Sequence, residues 1–170
     1  PRSTLFPYTT LFRSDNTVEK GLSYYYRVSA VNFYGEGGLS NEVTGMIFVH
    51  LNESVDNFNL NFSTGGNANW FGQSDNFYYD DEAAQSGAIG NNQVSWLYTE
   101  INSPSRSLLS FYWSVSSEPD IGIGADQLTF SVNGTIFGTI DGDIPWIRVV
   151  VELDEGINHL YWNYSKNALN

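Results

Sequence analysis

The sequence predicts an all-β protein built from many short strands. Aromatic residues make up 16% of its 170 residues and glycine occurs 16 times, whereas methionine occurs once. Aromatic side chains favour strands, and glycine marks the turns between them. Several segments also alternate apolar and polar residues, which is the pattern of a strand with one buried face. Stretches rich in strong helix formers are absent, so no helix is predicted.

Composition restricts the partners of the chain. Nineteen acidic and seven basic residues give a formal charge of -12, which repels phosphate backbones and anionic lipid surfaces. We therefore predict no nucleic-acid partner, and the lack of a long apolar run predicts no membrane insertion. The absence of cysteine excludes disulfides and thiolate metal sites but leaves secretion open.

Residues 1–14, "PRSTLFPYTTLFRS", show neither a helical nor a strand period. They match, codon for codon, one reading frame of a common sequencing-library adapter, so we interpret them as a translated cloning scar and exclude them from the fold. The alternative is a native leader peptide. That alternative lacks the continuous apolar region and the small-residue cleavage site of a signal peptide.

The first predicted strand lies in residues 15–45. Tyr24, Tyr26 and Val28 share one face at a period of two, which predicts a half-buried strand. The turn "FYGEGG" and a second short strand over residues 40–43 follow. With "YRVSAVN", "GEG" and "SNEV", the segment resembles the last two strands of a fibronectin type III domain. The resemblance implies that Tyr24 forms a tyrosine corner, its hydroxyl bonding to the chain just upstream.

Further strands are predicted after residue 54. In "LLSFYWSV", Leu109, Phe111, Trp113 and Val115 alternate with polar residues and predict one apolar face. "WIRVVVEL" and "HLYWNY" predict two more strands, joined as a hairpin through "DEGIN".

A hairpin is also predicted in "DQLTFSVNGTIFGTI". A three-residue loop over residues 132–134 would set Phe130 opposite Ile136 and keep the apolar residues on one face. The alternative is a two-residue Asn-Gly turn that pairs Val132 with Thr135 and divides the apolar residues between faces. We favour the three-residue loop.

The second part of the chain resembles a jelly-roll module, similar to MAM-type sandwiches, of bacterial and archaeal surface or secreted proteins. The segments that carry the resemblance are "GGNANWFGQSD", "AAQSGAIGNNQVSWLYT", "LLSFYWSVSSE", "DQLTFSVNG" and "GINHLYWNYSK". The loop in "SSEPDIGIGADQL" is longer than in that family, and the chain stops at Asn170 where the family continues into a closing strand. We therefore expect a sandwich that lacks its last strand.

An aromatic cluster supplies the first candidate site. Trp70, Phe71, Tyr78 and Tyr79 lie in a loop-rich stretch beside Asn, Gln and Asp residues. Exposed aromatic faces with neighbouring hydrogen-bonding groups suit sugar binding, so these four residues are candidate carbohydrate contacts. The alternative, which we favour, is that the aromatic residues fill the core.

An acidic cluster supplies a candidate metal site. Asp75, Asp80, Asp81 and Glu82 carry the carboxylate oxygens that Ca²⁺ prefers in extracellular modules. The spacing matches no EF-hand loop. The alternative is a charged loop without a metal.

No catalytic residue is predicted. His50 and His159 are the only imidazoles and lie in different predicted units. Glycosidases use a pair of carboxylates, and the sequence has three acidic residues close together at Glu152, Asp154 and Glu155. They are predicted at the end of a hairpin, where solvated acidic residues are common.

The sequence thus predicts a fragment of an extracellular or cell-surface protein. It divides into the adapter segment, a partial fibronectin type III domain at residues 15–47, a linker at 48–53 and a jelly-roll sandwich at 54–170. We expect non-catalytic binding, adhesion or spacer modules, with polysaccharide or other surface proteins as candidate partners and Ca²⁺ as a candidate structural ion. The alternative is that these are accessory domains of a secreted hydrolase, a glycosidase or protease, whose catalytic domain lies outside the sequence.

Overall fold

The computed structural model describes Val18 and residues 23–46, 49–120 and 125–168. These residues are all-β and contain no helix, as predicted, and every strand pair is antiparallel. In this part of the chain there is accordingly no helix long and apolar enough to cross a membrane. The chain divides into two compact units, Pro1–Ile47 and Phe48–Asn170. The predicted adapter segment lies outside the described residues.

The strands of the described residues are, in chain order, β1 Ser23–Tyr26, β2 Val31–Asn32, β3 Gly35–Glu36, β4 Val43–Met46, β5 Ser63–Gly66, β6 Phe71–Gln73, β7 Ala83–Gln85, β8 Val94–Ser103, β9 Ser107–Ser116, β10 Gln127–Val132, β11 Thr135–Asp141, β12 Asp143–Leu153 and β13 Gly156–Ser165.

In the first unit, β1 pairs with β4, and β2 and β3 form a hairpin at the predicted turn. Tyr26 lies opposite Val43, so the second strand begins three residues later than predicted. Ser40 is instead joined to Val28: its backbone N–H donates to the Val28 carbonyl at 2.7 Å, and its hydroxyl accepts from the Val28 N–H at 2.9 Å. The side chain of Val28 is exposed.

Tyr24, the predicted tyrosine corner, is half-buried on β1. Its ring stacks with that of Tyr26 at a centroid distance of 6.5 Å. Residues 19–22, immediately upstream, lie outside the described residues. The hydrogen bond expected of a tyrosine corner therefore stays a prediction.

In the second unit, a five-stranded sheet of order β11-β10-β13-β8-β5 and a two-stranded sheet of β12 and β9 enclose a common core. The strand predicted in "LLSFYWSV" is β9, with Trp113 buried and Leu109, Phe111 and Val115 packed against the core. The predicted apolar face is thus confirmed. The buried core residues are Trp113, Leu128, Phe130, Val132, Val151, Leu153 and Leu160.

The turn between β10 and β11 has two residues, so the predicted three-residue loop is wrong. Val132 pairs with Thr135, and Asn133 and Gly134 both have positive φ, at 50° and 80°. Two residues with positive φ form the turn whose twist best matches a hairpin, and Asn-Gly is its preferred sequence.

A β-bulge keeps the apolar residues on one face even though the turn has only two residues. The register shifts between Phe130 and Ser131, so that Phe130 lies opposite Gly138. One extra residue on β11 moves the later side chains back to the other face. Phe130 and Ile140 therefore both face the core, although the turn is short.

The predicted hairpin between β12 and β13 is also wrong, because these strands belong to different sheets. β12 pairs with β9, whereas β13 pairs with β10 and β8. The "DEGIN" turn crosses from one sheet to the other. Buried Asn158 holds it by donating its side-chain amide to the carbonyls of Asp154 and Gly156, at 2.9 and 3.1 Å.

The segment predicted as a linker, residues 48–53, lies within the second unit. Val49 is buried and forms an isolated bridge with Gly72 of β6. The other edge of β6 pairs with β7. Val49, β6 and β7 therefore lie side by side.

Candidate functional site

The structure separates the four predicted carbohydrate contacts. Trp70 is half-buried and packs against the core, whereas Phe71 is exposed. Tyr78 stacks on Tyr112 of β9 with centroids 3.7 Å apart and an interplanar angle of 15°, and Tyr79 is 72% exposed. No ring contact joins the four predicted residues to one another within the described part of the chain. They do not form one flat surface.

The loop that carries Tyr78 is fixed to the two-stranded sheet. The Trp146 indole N–H donates to the side-chain oxygen of Asn76 at 3.0 Å. A hydrogen bond with Tyr112 raises the pKa of Tyr78 above its usual value. The loop therefore covers part of the sheet surface instead of presenting a free aromatic platform.

The four predicted metal ligands lie in two successive turns. Asp80 and Asp81 have positive φ, at 56° and 64°, and form the centre of a tight turn closed by a bridge between Tyr79 and Glu82. Asp75 lies in the preceding turn and donates its backbone N–H to a glutamine side chain at 2.6 Å. Among the residues that the structure describes, no group of three or more His, Cys, Asp or Glu could hold a metal ion. Calcium binding stays a prediction.

Asp56 also belongs to this acidic region, although the sequence did not indicate that it would lie near Asp80 and Glu82. Burial raises the pKa of Asp56, and the negative charges of Asp80 and Glu82 raise it further. The three carboxylates therefore repel one another when ionised.

A row of four rings lies on the outer face of the five-stranded sheet. Alternate residues of β8 and β13, such as Leu97 and Leu160, are buried, so the residues between them point outward. We define the aromatic row as Trp96, Tyr161, Tyr98 and His159. Successive ring centroids along it are 6.0, 4.6 and 6.1 Å apart.

Two contacts position this row. A Cβ at Gly65 of β5 would lie 2.5 Å from Cζ2 of Trp96, so the indole lies directly over the backbone of the neighbouring strand. The Tyr98 hydroxyl donates to the Glu100 carboxylate and lies 2.7 Å from Nδ1 of His159. The hydrogen bond to Glu100, together with burial and the charge of that carboxylate, raises the pKa of Tyr98 to about 12.

Small neutral polar side chains surround the aromatic row. Alternation along the strands places them on the same outer face. An aromatic face can pack against an apolar ring surface, while hydroxyl and amide groups exchange hydrogen bonds with hydroxyls. The arrangement suits a neutral ligand that has both an apolar ring surface and hydroxyl groups. The polar residues are Ser63, Gln127, Thr129, Ser131, Asn163 and Ser165.

Sequence reasoning missed the aromatic row. The signal was present, because Trp96 and Tyr98 alternate in "VSWLYTE", and His159 and Tyr161 alternate in "HLYWNY". The missing information was the strand pairing, which sets Tyr98 opposite Tyr161. Sequence reasoning gave weight to rings that are close along the chain instead.

No family model, curated protein or solved structure matches this chain.

Proposed function

We propose that the second unit is a non-catalytic binding module that holds a neutral polysaccharide on the aromatic row. The observation that carries this proposal is the row itself, in which four adjacent rings cross two paired strands of one sheet. A sugar ring has one apolar face and hydroxyls at its edge. The rings supply the stacking surface, and the surrounding Ser, Thr, Asn and Gln side chains supply hydrogen bonds.

Charge favours a neutral polysaccharide over an anionic one. The chain carries a formal charge of -12, which repels uronic acids and sulfated sugars at long range. Beside the row, Glu100 adds a carboxylate close to His159, at 3.3 Å. Neutral glucans, xylans or chitin are accordingly the ligand class proposed.

The proposed parent is a multidomain extracellular or cell-surface protein. In this proposal the first unit is the end of a fibronectin type III domain, and the second is a jelly-roll sandwich with a binding or adhesive function. The sequence motifs described above support both assignments, and the β1 and β4 pair agrees with the two final strands of the first domain.

The alternative function keeps these units as accessory domains of a secreted hydrolase. Carbohydrate binding would then bring a glycosidase or protease to its substrate. The genomic sequence on both sides of this fragment discriminates between the two: a hydrolase domain favours the accessory function, and tandem copies of similar modules favour an adhesive or spacing function.

The test is a pull-down of the full chain with insoluble cellulose, xylan and chitin. Tyr161→Ala removes a ring from the row, and Tyr112→Ala is the matched control, since the two tyrosines are 39% and 40% exposed. We expect retention of the wild type and of Tyr112→Ala, and loss of Tyr161→Ala. Equal retention of both variants, or no retention of the folded wild type, would contradict the proposal.

The loop residues provide a second comparison. Tyr79→Ala tests the loop directly, because this side chain lies in solvent. Trp70→Ala tests it only if the variant stays folded, because Trp70 packs against the core. If Tyr79→Ala loses binding and Tyr161→Ala still binds, the polysaccharide binds to the loop and not to the aromatic row.

A further inference from the structure

A cavity of about 1300 Å³ lies beside β9 in the second unit. One wall is formed by consecutive residues 109–116 of β9, and another by consecutive residues 82–89, which include β7. Successive residues of a strand point to opposite sides of its sheet, so a cavity that touches all of them runs along the strand edge. We call this space the slot.

The β9 wall is a strand edge with unused backbone groups, and β7 adds a shorter strand edge, residues 83–85, to the other wall. β9 pairs only with β12, and β7 pairs only with β6, within the described residues. No backbone hydrogen bond in that part of the chain connects the two walls. Unpaired N–H and C=O groups on a strand edge form a template for another strand.

The floor of the slot is the inner face of the five-stranded sheet. Leu97, Leu128 and Leu160 line it, so side chains entering from above meet an apolar surface. The indole N–H groups of Trp70 and Trp113 are buried there without a hydrogen-bond partner among the described residues. An oxygen atom of an occupant would satisfy these donors.

The size of the slot argues against a small ligand. Pockets for small molecules typically measure about 300–1,000 Å³, and the slot is larger. A wall of eight consecutive residues corresponds to a length of about 27 Å at ~3.4 Å per residue. An extended peptide of similar length has the required shape.

The rim of the slot is negatively charged. Asp56, Asp75 and Glu82 are among its lining residues, and Lys166, the one basic residue among the described residues that line it, is already paired with Asp126 at 3.1 Å. A positively charged residue at the end of an incoming strand would relieve the repulsion between these carboxylates.

We propose that the slot binds an extended strand of a partner polypeptide. The strand places apolar side chains at alternate positions on the floor and a lysine or arginine near Asp56 and Glu82. Its two edges exchange backbone hydrogen bonds with β9 and β7, which joins Val49, β6, β7, the partner strand, β9 and β12 into one continuous sheet. This sheet covers the inner face of the five-stranded sheet.

The test uses fluorescein-labelled synthetic peptides of ten residues and the full chain. The peptides alternate valine or isoleucine with threonine and carry arginine at the first or the last position, which covers both strand directions. We expect saturable one-to-one binding by fluorescence anisotropy, with slower amide exchange at residues 109–116 and 82–89. No saturable binding of either peptide up to about 1 mM, a weak affinity limit, or protection confined to other strands, would overturn the proposal.

Control peptides separate strand addition from hydrophobic adsorption. Proline at alternate positions removes the N–H donors and should abolish binding. Glutamate in place of arginine should weaken binding about two- to five-fold at low salt, the range of exposed ion pairs. Equal binding of the proline peptides would contradict strand addition, and equal binding of the glutamate peptides would contradict the role of the acidic rim.

Protein variants locate the binding site. Val115→Phe puts a ring into the slot from the β9 wall, and Val149→Phe, also at a half-buried valine packed against the core, is the matched control on β12 outside the slot. Only the first should block the peptide while circular dichroism shows both variants folded. If the wall amides instead become protected as the concentration of the chain alone rises, the occupant is a second copy and the peptide assignment is wrong.

Discussion

Phe130→Ala is the most informative perturbation of the core. Phe130 on β10 is fully buried, with its ring centroid 4.8 Å from that of Phe111 and 4.9 Å from that of Trp162. It connects the five-stranded sheet with β9. Replacing it with alanine leaves a cavity where three rings now pack.

The magnitude follows from the buried area. An aromatic side chain buries about 150–250 Å², which at ~25 cal/mol per Å² corresponds to about 4–6 kcal/mol. Alanine retains part of this, and measured Phe→Ala substitutions in cores cost about 3–5 kcal/mol. We expect a loss of about 4 kcal/mol, a large part of the roughly 5–15 kcal/mol that stabilises a typical domain.

The assay is urea denaturation followed by tryptophan fluorescence, which reports the second unit because all five tryptophans lie in it. Phe137→Ala is the control, since this phenylalanine on β11 is 49% exposed and should cost no more than about 0.5 kcal/mol. If Phe130→Ala costs about 1 kcal/mol or less, or no more than the control, the packing of the two sheets described here is wrong.

Three further predictions concern the surface. Gly65→Ala brings a methyl group against the indole above it, so it should cost about 1–3 kcal/mol, whereas Gly90→Ala, with no contact closer than 3.5 Å, should change the urea midpoint little. Asp56→Asn should raise the melting temperature at pH 7, because a carboxyl whose folded pKa lies above its ordinary value of 3.8 destabilises the fold once it is ionised. The gain in melting temperature should vanish below pH 3.8. If Ca²⁺ stabilises the wild type and this variant loses that stabilisation, the result would instead support the predicted calcium site. The hydrogen bond from Tyr98 to Glu100 should stabilise the fold fully below pH 10.0, the ordinary pKa of tyrosine, and its contribution should be lost as the pH rises toward about 12. The urea midpoints of the wild type and Tyr98→Phe should therefore converge over this pH range. A constant difference between the two midpoints would contradict the assigned hydrogen bond.

The strand in "LLSFYWSV" could be predicted because burial acts on each residue separately. Leu109, Phe111, Trp113 and Val115 face the core, and the serines between them do not. A period of two in the sequence reports this directly, with no knowledge of the partner strand. The all-β class follows from several such segments.

Strand partners could not be predicted in the same way. β12 and β13 are separated by a short turn, which suggested a hairpin, yet their apolar faces belong to opposite sheets. A two-residue β10 to β11 turn by itself divides the apolar residues between two faces, and a bulge at Phe130 removes that conflict. Both errors come from long-range pairing, which local pattern does not encode.

The candidate sites show the same limit. Tyr78 and Tyr79 are neighbours in sequence, but one stacks on Tyr112 of β9 while the other is exposed to solvent. Tyr98 and Tyr161 are far apart in sequence, but pairing of β8 with β13 places their rings 4.6 Å apart. A binding surface on a sheet depends on register, so composition alone indicates aromatic residues without showing which of them meet.

The aromatic row and the slot use opposite faces of the same strands. Tyr98 points outward from β8, whereas Leu97 points into the slot. A substitution in the row therefore changes the outer surface without entering the slot, and Val115→Phe enters the slot without touching the row. A chain that binds polysaccharide but no strand peptide, or the reverse, would consequently reject one proposal and leave the other standing.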